Sequence, residues 1–217
     1  MSVPTTRREA GREVEDPRYR YLKGFQSKRL RDTYDDFASR PKYASACYFF
    51  FEEIYSTEDT TDRDESFRKI YGTVQRFLGG EVVESMTRLI ELQELTIKLD
   101  MRILDVLLER EAPVEFGMET YESAYKLSEN YQERVRQIEL LEFTLRLIHK
   151  ISHRFGIGMV LKGLRSACVL LGHTRMVDFL MSGYKAFADL KSIEPLVSAM
   201  SQRERERLDR IWALEIP

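Results

Sequence analysis

The sequence predicts an all-α fold, a single domain of about seven or eight helices built around two long central ones. Three observations carry this expectation. Residues 81–110 contain no proline or glycine and present two apolar stripes, Val83, Ile90, Ile97, Leu104 and Leu108 on one and Leu92, Leu95, Leu99 and Val106 on the other. That is the helical spacing of a segment with several neighbours. A second long helix reads from about 119 to 154, with a core stripe that includes Tyr121, Tyr125, Ile138, Leu141, Leu145 and Ile148. Finally, no stretch shows strand alternation or a hairpin signal, and no fixed-period helical repeat is present.

The elements follow in order. Residues 1–16 are polar and without apolar periodicity, and they read as a disordered tail before a domain at 17–217. A first helix is expected over 17–38, with Leu22, Phe25, Leu30, Tyr34 and Phe37 inward. Pro41 suits the first turn of a second helix that runs to near Ser56. The acidic stretch 58–65 lacks the glycine and ligand spacing of a calcium loop. It reads as a connection in which Asp62 and Glu65 form a capping box for a third helix, stopped by Gly79 and Gly80. Pro113 and Gly117 separate the two long helices. Gly156 and Gly158 precede a helix ending near Gly172, and another covers about 174–190. After Pro195, Ser201 and Glu204 match a second capping box, which would open a charged terminal helix with Leu208, Ile211, Trp212 and Leu214 on its apolar side.

Composition narrows the function classes. A net charge of −2 gives no global attraction to nucleic acid or to an anionic membrane. The densest basic group, Arg203, Arg205, Arg207 and Arg210, alternates with Glu204, Glu206 and Asp209, which reads as a solvated helix face. The apolar stretch 157–171 is interrupted by Lys162 and Arg165 and is too short to span a bilayer. The first residues lack the apolar core of a signal peptide, so the expected location is the cytoplasm. Cys47 and Cys168 both fall in apolar helical patterns and are expected to be reduced core residues.

The densest local feature is Phe49-Phe50-Phe51-Glu52-Glu53-Ile54-Tyr55. On a helix, Tyr43, Cys47, Phe50, Phe51 and Ile54 share one face, while Glu52 and Glu53 lie opposite with Phe49 between them. A helix apolar on both sides is packed on both sides, so the two acids are expected to be partly buried and partnered. This run resembles the signature of the bacterial FFLEELY-motif proteins, departing at Phe51 and Ile54, where that family has leucine. The resemblance continues through Arg63-Asp64, Phe67 and Ile70, then Leu164-Arg165-Ser166-Ala167, Asp178-Phe179-Leu180, Gly183-Tyr184 and Ala186-Phe187. It implies a bacterial helical domain and transfers no catalytic residue, because the family has no established activity.

One polar stripe could carry chemistry. Glu142, Arg146, His149 and His153 recur at spacings of four, three and four on the second long helix. His149 and His153, one turn apart, could face one metal, beside Glu142 and with Glu52, Glu53, Glu91 and Glu94 as carboxylates from neighbouring helices, for iron, manganese or zinc. The paired Glu-x-x-His of di-iron bundles is missing. The simpler expectation is structural: Glu142 and Arg146 pair at i, i+4, His149 bonds a carbonyl, and Arg146 or another cation neutralises Glu52 or Glu53. Gly156, Gly158 and Gly163 lack the strand and the Gly-Lys-Ser/Thr of a phosphate loop and are expected to serve tight turns and close helix approach.

The leading functional expectation is therefore a non-catalytic module that binds a protein or a small effector, with neither nucleic acid nor membrane as partner and with no cofactor. Phe49, Phe50, Phe51, Glu52, Glu53, Tyr55 and Arg146 are its motif and candidate polar site, and Tyr19, Tyr21, Tyr121, Tyr125 and Tyr131 could add to a partner surface or pack between helices. The alternative is a metal-dependent enzyme using Glu52, Glu53, Glu142, His149 and His153. A further one is an apolar-ligand pocket beside Phe49, which an enclosed cavity would favour.

Overall fold

The computed structural model describes residues 16–54, 80–170 and 174–216. Among these the chain is all α, with nine α-helices and one π-helical turn. They are α1 (Pro17–Thr33), α2 (Asp35–Ala38), α3 (Pro41–Phe49) with the π turn Phe50–Ile54, α4 (Gly80–Glu109), α5 (Met118–Leu127), α6 (Tyr131–Ser152), α7 (Ile157–Leu170), α8 (Thr174–Phe187) and α9 (Glu194–Trp212). The third helix expected after the Asp62–Glu65 capping pattern lies outside the described residues.

Local chemistry accounts for the helix starts. Asp16 caps α1, its Oδ1 accepting from the Arg18 N–H at 2.8 Å, with Pro17 in the first turn. Pro41 opens α3 as expected. Gly156, at φ +79°, makes the turn into α7, and Gly158 lets Tyr184 of α8 approach so closely that a Cβ there would sit 2.9 Å from its hydroxyl.

Three expected elements differ. The helix at 17–38 breaks at Tyr34, whose φ of −115° and ψ of 18° leave helical geometry. The break lets Tyr34 and Phe37 both reach the core, at 0 % and 5 % exposure. The helix expected over 119–154 is two helices. Ser128 donates its hydroxyl to the Tyr125 carbonyl, Glu129 takes φ +50°, and the chain restarts at Tyr131. Ser, Glu and Asn in succession are weak helix formers apart from the glutamate, and local side-chain bonding competes with the ladder there. The terminal helix starts at Glu194, with Pro195 in its first turn. Ser201 and Glu204 are thus mid-helix residues, not a cap.

The pair α4 and α6 forms the most extensive contact, and α9 lies along α6. Helix α8 packs on α3, α6 and α7. The buried apolar residues form two clusters. One gathers the aromatic run, α2, α3, α8 and the start of α9 around Phe49, Phe50, Phe187 and Val197. The other gathers α5 and the far ends of α4 and α9 around Ile103, Tyr121, Leu208 and Ile211. No helix among the described residues is long and apolar enough to cross a membrane.

Candidate functional site

The aromatic run leaves α-helical geometry at Phe50 and finishes as a π turn. Such turns are rare and concentrate at functional sites. Phe49, Phe50 and Phe51 are all buried, at 1 %, 2 % and 6 % exposure. They achieve this by pointing to different neighbours. Phe49 meets Phe179 and Phe187 of α8 at ring distances of 5.3 and 5.7 Å. Phe50 meets Tyr34 edge-on, and Phe51 lies under the Arg31 guanidinium. Glu52 is half-buried and pairs with Arg31 of α1 at 2.5 Å. The cation at Glu52 is therefore Arg31. Arg146, the cation named from sequence, instead bonds Glu142 at 3.1 Å and Glu194 at 3.1–3.2 Å. Tyr55 and the side chain of Glu53 lie outside the described residues.

Each histidine of the stripe commits one ring nitrogen to a backbone carbonyl. Carbonyl oxygens only accept, so His149 donates from Nε2 to the Leu190 carbonyl at 2.6 Å, and His153 donates from Nδ1 to the His149 carbonyl at 2.9 Å. The two rings lie 4.4 Å apart. The Glu142 carboxylate is occupied by Ser201, Arg146 and Arg205. Burial opposes its charge, but these donors outweigh burial and hold it below the ordinary glutamate value. Among the described residues no three histidines, cysteines or acids gather as a metal site would require.

Beside the motif, α3, α7 and α8 enclose an open groove of about 930 Å³. Tyr48 and Phe49 form its apolar wall, with Tyr48 63 % exposed. Lys162, Arg165 and Lys185 form its rim. Asp178, the groove's acid, is bonded by Arg165 at 2.8 Å. Neither lysine has a carboxylate partner among the described residues. Tyr121 and Tyr125, candidates for a partner surface, are buried, while Tyr21 and Tyr131 are half-buried against Phe116 and Trp212.

A buried polar assembly among the described residues escaped sequence reasoning. Between the two apolar clusters, α1 contributes Gln26 and Arg29, α4 Asp100, α6 Arg134 and Gln137, and α9 Glu204 and Arg207. Glu204 accepts from Arg29 at 2.9 Å and from the Tyr34 hydroxyl at 2.8 Å. Burial opposes its ionisation, but the charge and hydrogen bond of Arg29, with Tyr34 and Arg207, hold its carboxyl below the ordinary value. Asp100, 1 % exposed, accepts from Gln26 at 2.9 Å and Lys23 at 3.3 Å. Arg134, 3 % exposed, stacks on Tyr125 at 4.2 Å. The stretch 203–210, read as a solvated face, thus turns Glu204 and Arg207 into the molecule. Its signal was available: Val197, Met200, Glu204, Leu208 and Ile211 follow one helical stripe, and Arg134, Ile138, Leu141 and Leu145 follow another.

A sequence model of the family described as Domain of unknown function (DUF8198) matches residues 6–215. No curated protein and no solved structure matches the chain.

Proposed function

The chain belongs to this DUF8198 family, whose function is unknown, and from that premise and the geometry beside the motif we propose a non-catalytic helical binding module. Its ligand is an acidic protein segment with an apolar side chain, received in the groove between α3, α7 and α8. One observation carries the reading: an open groove of about 930 Å³ pairs exposed Tyr48 with two lysines, Lys162 and Lys185, that have no acid partner among the described residues. The volume is that of a ligand pocket. An aromatic floor with a basic rim suits a hydrophobic anchor flanked by carboxylates. Because the groove is open and charged at its rim, it supports an enclosed apolar-ligand pocket less well. A bacterial, cytoplasmic setting belongs to the same proposal and rests on the resemblance to the FFLEELY-motif proteins and on the buried thiol of Cys47.

Selection of peptides from a random displayed library tests this. The expected winners carry acids around a leucine or aromatic residue, bind more weakly as salt rises, and lose most affinity for a Lys162→Glu/Lys185→Glu double variant. Winners without acidic bias, or equal binding by the reversed-charge variant, would remove the groove as the site.

A further inference from the structure

The polar layer encloses a small cavity of about 40 Å³, mostly closed off from solvent. Three guanidinium groups line it, those of Arg29, Arg134 and Arg207, against two carboxylates, Asp100 and Glu204. The two acids are matched by Lys23 and Arg29. Arg207 reaches Glu122, at 3.5 Å, outside the cavity lining, a carboxylate it shares with Arg210 at 2.5–2.8 Å. That leaves Arg134. Its Nη1 donates to the Gln137 side chain and its Nη2 to the Leu99 carbonyl, both at 3.2 Å and both neutral acceptors. Its Nε is buried and has no acceptor, and the same is true of Arg29 Nε. Among the described residues Arg134 has no carboxylate within ion-pair distance. A guanidinium keeps its charge at any physiological pH, and a buried charge requires a counter-charge.

We propose that this cavity holds one small monovalent anion, of the size of chloride or formate, bound by Arg134 and Arg29. Arg134 and Arg29, each with a buried Nε that has no acceptor, both line this space, where three arginines stand against two acids. Tyr121, whose hydroxyl accepts from the Gln26 amide at 3.5 Å, lines the same space. The volume suits the ligand: it exceeds the ~10–15 Å³ that one water needs and is too small for a phosphorylated metabolite. The site is independent of the groove beside the motif, since the two share no lining residue.

The test uses the full chain in sodium gluconate, whose anion is too bulky for the cavity, with chloride, bromide or formate titrated in at fixed ionic strength. The expected result is a saturable rise in the thermal midpoint. By linkage it reaches roughly 5–10 °C when the anion is a hundredfold above its dissociation constant. The rise is lost in Arg134→Gln and kept in a Lys162→Glu/Lys185→Glu protein, so failure here is distinct from failure of the groove. Comparison of the halide and formate curves separates a spherical ion from a carboxylate. Wild-type crystals grown with bromide give a second readout that does not depend on the folding of Arg134→Gln, an anomalous peak beside Arg134 and Arg29. A flat titration with water density in the cavity overturns the proposal. So does a peak without a saturable thermal response, which marks an adventitious ion only.

Discussion

Glu204 and Glu52 are both acids paired with an arginine of α1, and what surrounds them separates their consequences. The Arg31–Glu52 pair is 46 % and 35 % exposed, so water and salt screen it. Such pairs contribute about 0–1 kcal/mol. The Arg29–Glu204 pair is 12 % and 15 % exposed and also holds the Tyr34 hydroxyl. Breaking one partner of a buried pair costs about 3–5 kcal/mol, because the other charge is left buried. Glu204→Gln is therefore expected to destabilise the fold by that amount in denaturant titrations, and Glu52→Gln by less than about 1 kcal/mol. Equal losses would show that the motif acid is as structurally important as the buried one. The pH dependence has a definite sign. The folded Glu204 carboxyl lies below its ordinary value of 4.5, so its contribution is complete above that pH, where the unfolded chain is also ionised. As pH falls further the unfolded chain takes up the proton first, and the contribution disappears through the lower folded value. The stability gap between wild type and Glu204→Gln should narrow from pH 5 towards pH 3; a constant gap would rule out this linkage. Burial also pushes the Cys47 thiol up to about 11. In a Cys168→Ser protein, Cys47 should resist thiol reagents at pH 8 until the chain unfolds, and rapid native labelling would contradict its placement in the core.

At the scale of elements, close helix contact rests on small residues at defined places. Gly183 of α8 faces Phe49, and a Cβ there would lie 3.1 Å from the ring. Ile148 of α6 closes the third side at 3.8 Å. Since Phe49 is fully buried between α8 helix residues, it has little room to retreat. Gly183→Ala is expected to cost about 1–3 kcal/mol as overpacking, although alanine is the better helix former by ~1 kcal/mol. A stabilised variant would mean that the π turn carrying the aromatic run adjusts freely. The sequence made much of this level legible. The all-α class, α4 within one residue at each end, Pro41 and the close approach at Gly158 all follow from periodicity and from the special properties of proline and glycine. Other features did not, for physical reasons. The aromatic run has apolar residues on every side, so periodicity could not show that it leaves α geometry at Phe50. Ser201 and Glu204 satisfy a capping pattern that is also an ordinary i, i+3 pair inside a helix. Glu194 and Pro195 set the real start. Arg134, Asp100 and Glu204 sit on otherwise apolar stripes, but each is surrounded in sequence by exposed charges. Only the meeting of four helices shows that they face one another.

The whole molecule is organised by helices that pass through both apolar clusters. Helix α4 places Leu92 in the cluster with the aromatic run and Ile103 and Leu107 in the other; α6 does the same with Leu141 and Ile138, and α9 with Met200 and Leu208. The polar layer lies between, on the same helices. Neither cluster can lose its packing without releasing helices that the other needs, and loss of the layer would leave Arg29, Asp100 and Arg134 without their partners. The two clusters should therefore unfold as one unit. The chain contains a probe for this. Trp212 is the single tryptophan and packs in the second cluster against Tyr125 and Tyr131. Phe49 sits in the first cluster. The expected outcome is that Trp212 fluorescence and far-ultraviolet circular dichroism give coincident denaturant midpoints. Phe49→Leu should move both midpoints by the same amount, although residue 49 is absent from the cluster around Trp212. If helix signal were lost before Trp212 responded, or if Phe49→Leu left the tryptophan transition in place, the polar layer would be a boundary between two folding units. Coupling between the groove beside Phe49 and the cavity beside Arg134 would then have no path through the core. A single transition makes the opposite expectation concrete: an anion that stabilises the layer raises the midpoint read at Trp212 and the one read through the helices around the motif together.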